Sequence, residues 1–458
     1  MRSTLLGSTG LFVSALGLHT MTFGADGPVA PFDFQGRLLV AVSDADMVPS
    51  AYLNGRLGPA QGVDALSVVR LDRVRSDWLR RAPGATRAAQ VPVSNSVTGP
   101  PAVVATTPDG RYAVVVETLG PRPAHTPAAA AEPRLRDLPL GRTIAVIDLS
   151  DPDRPAVVQR LACPEQPETV SINAAGSLVA VTFGPQGAGR TTPLVLYRFR
   201  DGRLASPTTP VIPGWLAGHN LRDAEFGPRD NTLALLDATA PAVSFVQVSD
   251  DGARLTRWGN AVGVEALPFL VRFTPDGRHV VVNATYGTAD AVDGGFGAPR
   301  GTVATIRVAA DRDADGAPRH AFVSHAATGV VPEGFAVSPD GRWVATTNLE
   351  RTAAPFDDPR QGLFASLTLL RLDPASGVLE RVGDFPFDGV MPETVLFDNS
   401  SRYLATTSFD RFDGARPGGS IDFWRLAGDR FDPTRVALVR TNTSIPVTRG
   451  AHTMVLVR

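Results

Sequence analysis

A short pattern of hydrophobic and polar positions recurs about every sixty residues, the kind of period expected of a repeat protein. Each copy is an apolar run, a tight polar turn and a second apolar run that ends in small polar residues. The clearest copies share the turn Pro-Asp-Gly-Arg and cover residues 103–117, 273–283 and 335–348. Weaker copies cover residues 170–182, 224–237 and 395–408. Asp and Gly favour hairpin turns that helices avoid, so the pattern predicts paired strands.

A third apolar run usually follows the pair after Gly or Ser, as at residues 141–148. Strand, turn, strand and a further strand make one blade of a β-propeller. We therefore predict an all-β fold with seven blades, six or eight being the alternatives. Six units are complete, and the seventh is split: its first strand is 451–457 and its other strands are 37–43 and 65–71. The C-terminal strand would then close the ring and remove the exposed strand edges.

The extra length of each repeat lies mainly between its second and third strands. The long connections cover residues 44–64, 118–140, 285–300, 349–365 and 409–418. In a four-stranded blade these connections open on the same face as the loop that enters the first strand. Because functional residues on repeat proteins usually follow such insertions, we expect the site on this face. Residues 31–458 are predicted to form a single propeller domain, with 1–30 as an N-terminal extension.

Composition excludes several classes of function. A net charge of −2 gives no electrostatic case for a nucleic-acid partner. All 44 basic residues are Arg, and the absence of Lys excludes Schiff-base chemistry and a P-loop. Cys163 is the single cysteine, so an intrachain disulfide and a thiolate metal cluster are excluded. We expect no transmembrane segment. The compartment is left open, with the cytoplasm slightly favoured over a secreted or periplasmic location.

The N-terminal segment allows two interpretations. Residues 5–18 resemble the apolar core of a secretory signal, with Arg2 as its positive region. Residues 5–24 also closely resemble the opening of aldo-keto reductases. The catalytic set of that family needs a Lys, which this chain lacks, and no alternation of strand and helix follows. We interpret the segment as a fused remnant or a misplaced start, with a signal peptide as the alternative. Neither interpretation implies a reductase.

Three loops that enter a first strand carry a Pro-Glu pair, which supplies the candidate catalytic carboxylates Glu168, Glu333 and Glu393. In the same register we place the pairs His219-Asn220 and Leu267-Pro268, and His452. Proline restricts the backbone on both sides and would hold each carboxylate in place. Carboxylates converging on the channel mouth could act as a general base or bind a divalent cation such as Ca²⁺. Alternatively, each accepts backbone N–H bonds and only ties the blades together.

The residues that end the second strands are mostly polar and lie on the same face. Together with the loop pair before the third blade they give the candidate substrate-binding residues His219, Asn220, Glu117, Asn283 and Asn348. Arg449 is a candidate partner for an anionic substrate or an oxyanion, because guanidinium groups bind such charges. The metal ligands, if a cation binds, are left unassigned.

Residues 337–345, Val-Ser-Pro-Asp-Gly-Arg-Trp-Val-Ala, and 143–149 resemble repeats of the seven-bladed lactonase-like or YVTN-type propellers. This resemblance implies hydrolysis or isomerisation of a small lactone or anionic substrate in the channel mouth. Glu393 or Glu333 would activate water, and His452 or Arg449 would stabilise the oxyanion. No cofactor is expected, apart from the cation alternative above. The rival hypothesis is a non-catalytic propeller that binds a protein or carbohydrate partner, since a fold does not determine function.

Overall fold

The computed structural model describes most of the chain between residues 32 and 458. The described ranges are 32–79, 86–95, 99–122, 134–184, 192–285, 300–309, 316–355, 357–411, 418–428 and 435–458. The predictions for residues 1–30, including the reductase-like and signal-like interpretations, lie outside these ranges and stay predictions. The same holds for the single-domain boundary at residue 31.

The described residues are dominated by antiparallel strands. In chain order these are β1 Leu38–Ser43, β2 Ala65–Arg70, β3 Ala89–Pro92, β4 Val104–Thr106, β5 Tyr112–Val116, β6 Thr143–Asp148, β7 Ala156–Ala162, β8 Pro167–Ile172, β9 Leu178–Phe183, β10 Leu194–Arg200, β11 Arg203–Thr208, β12 Leu221–Phe226, β13 Thr232–Asp237, β14 Ala242–Val248, β15 Leu255–Arg257 and β16 Val262–Gly263. They continue with β17 Pro268–Phe273, β18 His279–Ala284, β19 Thr302–Arg307, β20 Ala321–Ala327, β21 Pro332–Val337, β22 Trp343–Asn348, β23 Ala365–Leu372, β24 Leu379–Phe387, β25 Gly389–Val390, β26 Val395–Phe397, β27 Tyr403–Ser408, β28 Asp410–Arg411, β29 Gly419–Gly428, β30 Val436–Val447 and β31 Ala451–Val457.

The strands form seven blades around a central channel. From the inner strand outward, blades 1 to 6 are β4 to β7, β8 to β11, β12 to β15, β17 to β20, β21 to β24, and β26, β27, β29 and β30. Two short pairings are added: β16 joins β14, and β25 pairs with β28. Blades bury both of their faces against neighbours, which explains continuous apolar strands such as the fully buried β5.

Blade 7 closes the ring as predicted. Strand β31 pairs antiparallel with β1, matching Val457 to Leu38 and Thr453 to Val42, and the sheet order is β3, β2, β1, β31. All six residues of β1 are buried, so this strand cannot lie at an open edge. The all-β fold, the count of seven blades and the closure by the C-terminal strand are confirmed.

Helices are few and short among the described residues. They are α1 Ala51–Asn54, α2 Leu71–Leu79 and a 3-10 turn at Leu135–Asp137. None of the described helices has the length and apolar character needed to cross a bilayer. Helix α1 lies in the connection between β1 and β2, and α2 follows β2 directly.

The long connections after the second strands pack on one another above one end of the channel. Their buried apolar side chains, together with those of the segments that precede β21 and β26, form a cluster of their own, separate from the cores between blades; it contains Met47, Ala51, Leu57, Leu119, Leu138, Val331, Leu349, Ala353, Val390, Met391 and Phe409. We call this group the loop cluster. It joins blades that are distant in sequence and covers part of the face on which the site was predicted.

Candidate functional site

An unusual backbone conformation precedes the first strand of four blades. Gln166, Leu267, Val331 and Met391 have φ values of 59°, 52°, 53° and 49°. Each of these residues is followed by proline. The left-handed conformation costs a residue other than glycine roughly 1–2 kcal/mol. Strain of this kind persists only where the surroundings enforce it, and it is concentrated at functional sites.

A bulge follows each of these prolines in blades 2, 4 and 5. The strand pairing shifts between Pro167 and Val170, between Pro268 and Val271, and between Pro332 and Gly334. The first residue of each bulge is Glu168, Phe269 or Glu333. Bulges twist a strand and re-aim a side chain, often beside a binding site. The repeated turn and bulge therefore give the residue after proline an equivalent place in each of these blades.

Blades 3 and 7 use the same bulge with other residues. In blade 3 the pairing shifts between Leu221 and Asp223, so Arg222 occupies the bulge. In blade 7 the shift opposite Val42 and Ser43 places His452 there. The sequence pattern places His219-Asn220 and Leu267-Pro268 in the register of the Pro-Glu pairs. This placement is wrong, because the bulge residue follows the first paired residue of each strand. Arg222 and Phe269 take those places, and β12 starts only after His219 and Asn220.

The N–H group that follows the bulge residue, or stands at the equivalent position in blade 6, has a side-chain acceptor in four blades. The acceptor stands 13 residues later on the second strand; the bonds are Thr169 N to Thr182 Oγ1, Leu270 N to Asn283 Oδ1, Gly334 N to Thr347 Oγ1 and Thr394 N to Thr407 Oγ1. Their lengths are 2.8 to 3.2 Å. Since a buried N–H without a partner is costly, these side chains stabilise the bulges.

Glu333 and Glu393 lie close enough to influence each other's charge. Glu393 is 0% exposed, and neither of its carboxyl oxygens has a hydrogen-bond partner among the described residues. Burial raises the pKa of Glu393 well above its usual range, and the negative charges of Glu333 and Asp44 raise it further. Burial also raises the pKa of Glu333, to about 8, although the guanidinium of Arg222 opposes this shift. Both groups therefore hold protons near neutral pH.

Arg222 links these carboxylates to Glu168. Its Nη1 lies 3.8 Å from Oε2 of Glu168, which is 2% exposed. Its guanidinium stacks on the ring of Phe269, 4.6 Å from the centroid. The residues that occupy the bulges of blades 2 to 5 thus meet at one place, with Glu393 of blade 6 beside them. The structure brings together Glu168, Glu333 and Glu393, the three carboxylates singled out from the sequence.

The side chain of His452 makes its contacts inside the protein. It is 0% exposed, its Nε2 lies 2.6 Å from Oδ1 of Asn95, and its Nδ1 lies 3.0 Å from Oγ1 of Thr453. Burial lowers the pKa of His452 to about 3, so the imidazole is neutral. The carbonyl of His452 also accepts the hydroxyl of Thr407. This geometry holds blades 6 and 7 together.

Arg449 is 3% exposed and lies against the connection between β1 and β2. Its Nη2 donates to the carbonyls of Ala45 and Pro59, at 3.2 and 2.6 Å. Its Nε has no partner among the described residues. Burial lowers the pKa of Arg449, while the nearby carboxylates of Asp410 and Asp44 oppose that shift. The guanidinium therefore holds the connection between β1 and β2 in place and offsets the negative charges of Asp410 and Asp44.

Two of the candidate substrate-binding residues are occupied by contacts within the protein. Asn283 also donates from Nδ2 to the carbonyls of Pro332 and Glu333, and so fixes the loop that carries Glu333. Asn348 is 0% exposed, and its Nδ2 bonds to Ser366 and Thr368 in the same blade.

Glu117 and His219 lie nearer the surface. Glu117 accepts the N–H of Arg142 at 3.3 Å. His219 Nδ1 lies 2.5 Å from Asp237 Oδ2, beside a cavity of about 220 Å³ that is also lined by Trp215. The neighbouring Asn220 donates its backbone N–H to the hydroxyl of Thr239, at 2.9 Å. A second cavity, of about 270 Å³, lies in the central channel between the inner strands. Among the parts of the chain that the structure describes, no residue lines both cavities.

Sequence reasoning missed four charged residues on the inner strands. Arg272 Nη1 lies 2.6 Å from Asp223 Oδ2 and 3.8 Å from Glu225 Oε2. Burial raises the pKa of Glu225 to about 7, partly opposed by Arg272. Together with Arg222 they stand on β12 and β17, whose other positions are mostly apolar. Charges inside such runs were the available signal, because a buried charge is expensive unless it is paired or used.

One group of carboxylates has the arrangement of a cation site. One oxygen from each of Asp44, Asp46 and Asp64 lies within 4.8 Å of the others. Oδ1 of Asp64 accepts the N–H of Ala45 at 2.9 Å, and burial together with the charges of Asp44 and Asp46 raises its pKa to about 9. Carboxylate oxygens are the donors that Ca²⁺ prefers, so these residues suit a hard divalent cation or a shared proton.

No family model matches the chain, and no curated protein matches it. Solved structures, in contrast, do match this chain. A putative 6-phosphogluconolactonase from Bacteroides uniformis ATCC 8492 superposes with a TM-score of 0.57 at 15% identity, covering 92% of this chain and 100% of that one. The periplasmic gluconolactonase of Pseudomonas aeruginosa gives 0.57 at 16% identity, covering 92% and 99%. A functionally unknown protein from Desulfotomaculum acetoxidans DSM 771 gives 0.55 at 12%, covering 92% and 99%.

The fold is shared. Near-complete coverage of both chains agrees with the lactonase-like propeller architecture expected from the repeats. At these identities the likeness concerns the fold alone, and function has to be argued from the site.

Proposed function

We propose that this propeller is an enzyme that opens a small lactone ring at the channel mouth. The observation that carries the proposal is Glu393, a fully buried carboxyl whose two oxygens have no partner among the described residues, beside a half-buried carboxyl, Glu333. A structural carboxylate would be expected to accept hydrogen bonds from the loops around it. One similar structure is named a putative 6-phosphogluconolactonase and another a periplasmic gluconolactonase, and these names support the choice of substrate class.

The two environments suggest distinct roles for the carboxyl groups. Where a site pushes two pKa values apart, the group with the lower value is the natural base and the other the acid. Glu333, which titrates near pH 8, would take a proton from water as the water oxygen bonds to the lactone carbonyl carbon. Glu393 would give its proton to the ring oxygen as the carbon–oxygen bond breaks. The product is an open-chain hydroxy acid.

Arg222 is the proposed partner of the oxyanion formed in this step. It is the guanidinium beside Glu168 and Glu333, whereas Arg449 donates to two backbone carbonyls and the ring of His452 is neutral and engaged. A cation aimed at developing negative charge is among the strongest catalytic contributions. The reaction needs no cofactor, and Asp44, Asp46 and Asp64 would hold a divalent cation if one is bound.

The proposal is tested by replacing Glu393 with Gln, which keeps the shape and removes the acid. Turnover of D-glucono-1,5-lactone, corrected for spontaneous hydrolysis, should fall by about 10²-fold or more with the melting temperature retained. Glu380→Gln, on the exposed outer strand β24, serves as the matched control and should turn over like the wild type. Wild-type protein without turnover of any lactone tested, or a Glu393→Gln variant that keeps its activity, contradicts the proposal.

A non-catalytic binding propeller is the second candidate, favoured by one surface feature. Leu363 and Phe364 are 55% and 58% exposed and line a groove of about 640 Å³ that also contains Glu350 and Arg351. An exposed aromatic ring among polar side chains is typical of a binding surface for a protein or a carbohydrate. Binding to a glycan panel that disappears in Phe364→Ser, together with no lactone turnover, would favour this function.

A further inference from the structure

The central channel contains a cavity beside the proposed catalytic carboxyls. Its volume is about 270 Å³, and inner strands from all seven blades line it. Gly334 and Thr394, which follow Glu333 and Glu393 in the sequence, belong to its wall. A ligand in this cavity would therefore have one end near the catalytic groups. The volume lies just under the roughly 300 to 1,000 Å³ of typical ligand pockets and suits a compact molecule.

The wall is rich in groups that hydrogen-bond to hydroxyls. Glu225 offers carboxylate oxygens as acceptors, and hydroxyl side chains surround the space, namely Thr106, Ser171, Thr394 and Thr453. Apolar side chains such as Leu270, Phe335 and Met454 fill the intervening positions. Polar groups at a few points on an apolar wall are what a sugar-like ring requires, because its hydroxyls need partners and its carbons need contact surface.

The positive charges beside this cavity are already paired. Arg272 lies 2.6 Å from Asp223 and 3.8 Å from Glu225, and Arg222 lies 3.8 Å from Glu168 while stacking on Phe269. The described residues here comprise two guanidiniums and five carboxyl groups, on Glu168, Asp223, Glu225, Glu333 and Glu393. With protons on Glu333 and Glu393, and with Glu225 titrating near pH 7, at least two carboxylates remain against two guanidiniums. A phosphate group would meet no guanidinium without a carboxylate neighbour, and Arg222, the proposed partner of the oxyanion, would have to serve both negative charges.

We infer that the channel cavity selects a neutral, unphosphorylated polyhydroxy lactone and discriminates against its phosphate ester, with Glu225 as the residue that determines this specificity. The inference rests on the proposed function and names its substrate class. Glu225 accepts hydrogen bonds from the ring hydroxyls, and in its ionised form it repels an added phosphate.

The test compares D-glucono-1,5-lactone with its 6-phosphate in wild-type protein and in Glu225→Gln. We expect kcat/KM of the wild type to be at least about 10-fold higher for the unphosphorylated lactone, a modest preference for a site that repels one of two substrates. Glu225→Gln should raise KM for that lactone by about 10-fold, because a charged hydrogen-bond acceptor is lost, while kcat changes little. The preference over the phosphate ester should shrink in the same variant. Glu380→Gln should leave both substrates unchanged.

The outcomes separate the two proposals. Faster turnover of the phosphate ester, or an unchanged preference in a well-folded Glu225→Gln variant, overturns the inference and leaves the lactonase proposal standing. If neither lactone is turned over, binding of neutral D-glucose measured by calorimetry decides. Binding that weakens in Glu225→Gln supports the cavity as a neutral polyol site while the catalytic proposal fails. No binding of D-glucose and no turnover overturn both.

Discussion

Glu333 is subject to two opposing effects, and their balance determines when it can act. Burial favours its neutral form and Arg222 favours its carboxylate, with a resulting pKa of about 8. If Glu333 is the general base, its active form accumulates only as the pH rises through this value.

We therefore expect kcat/KM for lactone hydrolysis to increase as the pH rises through about 8 and to level off about one pH unit above that value. Glu333→Gln should lower the activity and also remove this rise. Initial rates across the range, with the spontaneous reaction subtracted at each pH, provide the measurement. An identical pH profile in the variant would assign the titration to another group.

His452 supplies a second prediction, on stability. The folded state holds this imidazole neutral with a pKa of about 3, against about 6.5 when unfolded. Between these values the unfolded chain binds more protons, so stability is lost as the pH falls from about 6.5 towards 3. In chemical denaturation, His452→Gln should be less stable than the wild type at pH 7 but should lose less on acidification. His279 and His320, whose pKa values are also lowered by burial, should keep part of the slope.

Residue by residue, the sequence predicted part of the site and missed the rest for physical reasons. Pro-Glu was recognisable at three loops because proline restricts the backbone wherever it occurs. Arg222 was not found because blade 3 makes the same bulge without a proline. A sequence offers no direct signal for a bulge, which depends on the pairing of two strands. Whether Glu168, Glu333 and Glu393 catalyse a reaction stays a prediction.

At the scale of strands, the bulges depend on one hydroxyl or amide from the adjacent strand. Thr407 illustrates this: its Oγ1 accepts the N–H of Thr394 at 3.1 Å and donates to the carbonyl of His452 at 3.2 Å. Valine has the same shape and neither capacity. Thr407→Val should lower the free energy of unfolding by about 1–3 kcal/mol, the usual cost of leaving buried groups unpaired.

A matched control for this prediction is Thr302 on β19. Its Oγ1 is buried and has no partner among the described residues, so Thr302→Val should be neutral or stabilising. Urea denaturation of both variants tests the comparison. Equal losses in the two would show that the hydroxyl of Thr407 contributes no more than an unpaired one.

The strands themselves were largely readable because turn residues and apolar runs are local signals. The two-residue strands β25 and β28 were not predicted. Val390 pairs with Asp410 across the mouth, and nothing in either segment alone indicates the other. The loop cluster was equally hidden, since Met47, Leu119 and Phe409 meet only after the ring has closed.

At the scale of the whole molecule, closure depends on the last strand. Deleting residues 449–458 removes β31, leaves β1 without its inner neighbour and exposes buried side chains such as Leu39 and Val40. The melting temperature should fall sharply, and the protein should aggregate through the open edge. Deleting only the exposed Arg458 should change neither property. Calorimetry and light scattering provide the readouts, and normal melting of the longer truncation would refute the dependence on β31.

The pairing of β1 with β31 also determines when, during translation, blade 7 can be completed. Leu38 and Ala451 lie at opposite ends of the described chain, so a ribosome adding about 5 to 20 residues per second separates their emergence by roughly 20 to 80 seconds. During this interval a mostly apolar strand, all of which is buried in the folded protein, lacks its partner while six later blades are translated. Chaperones that shield nascent strands, and codon choices that change this interval, should affect the yield of this protein more than its final stability.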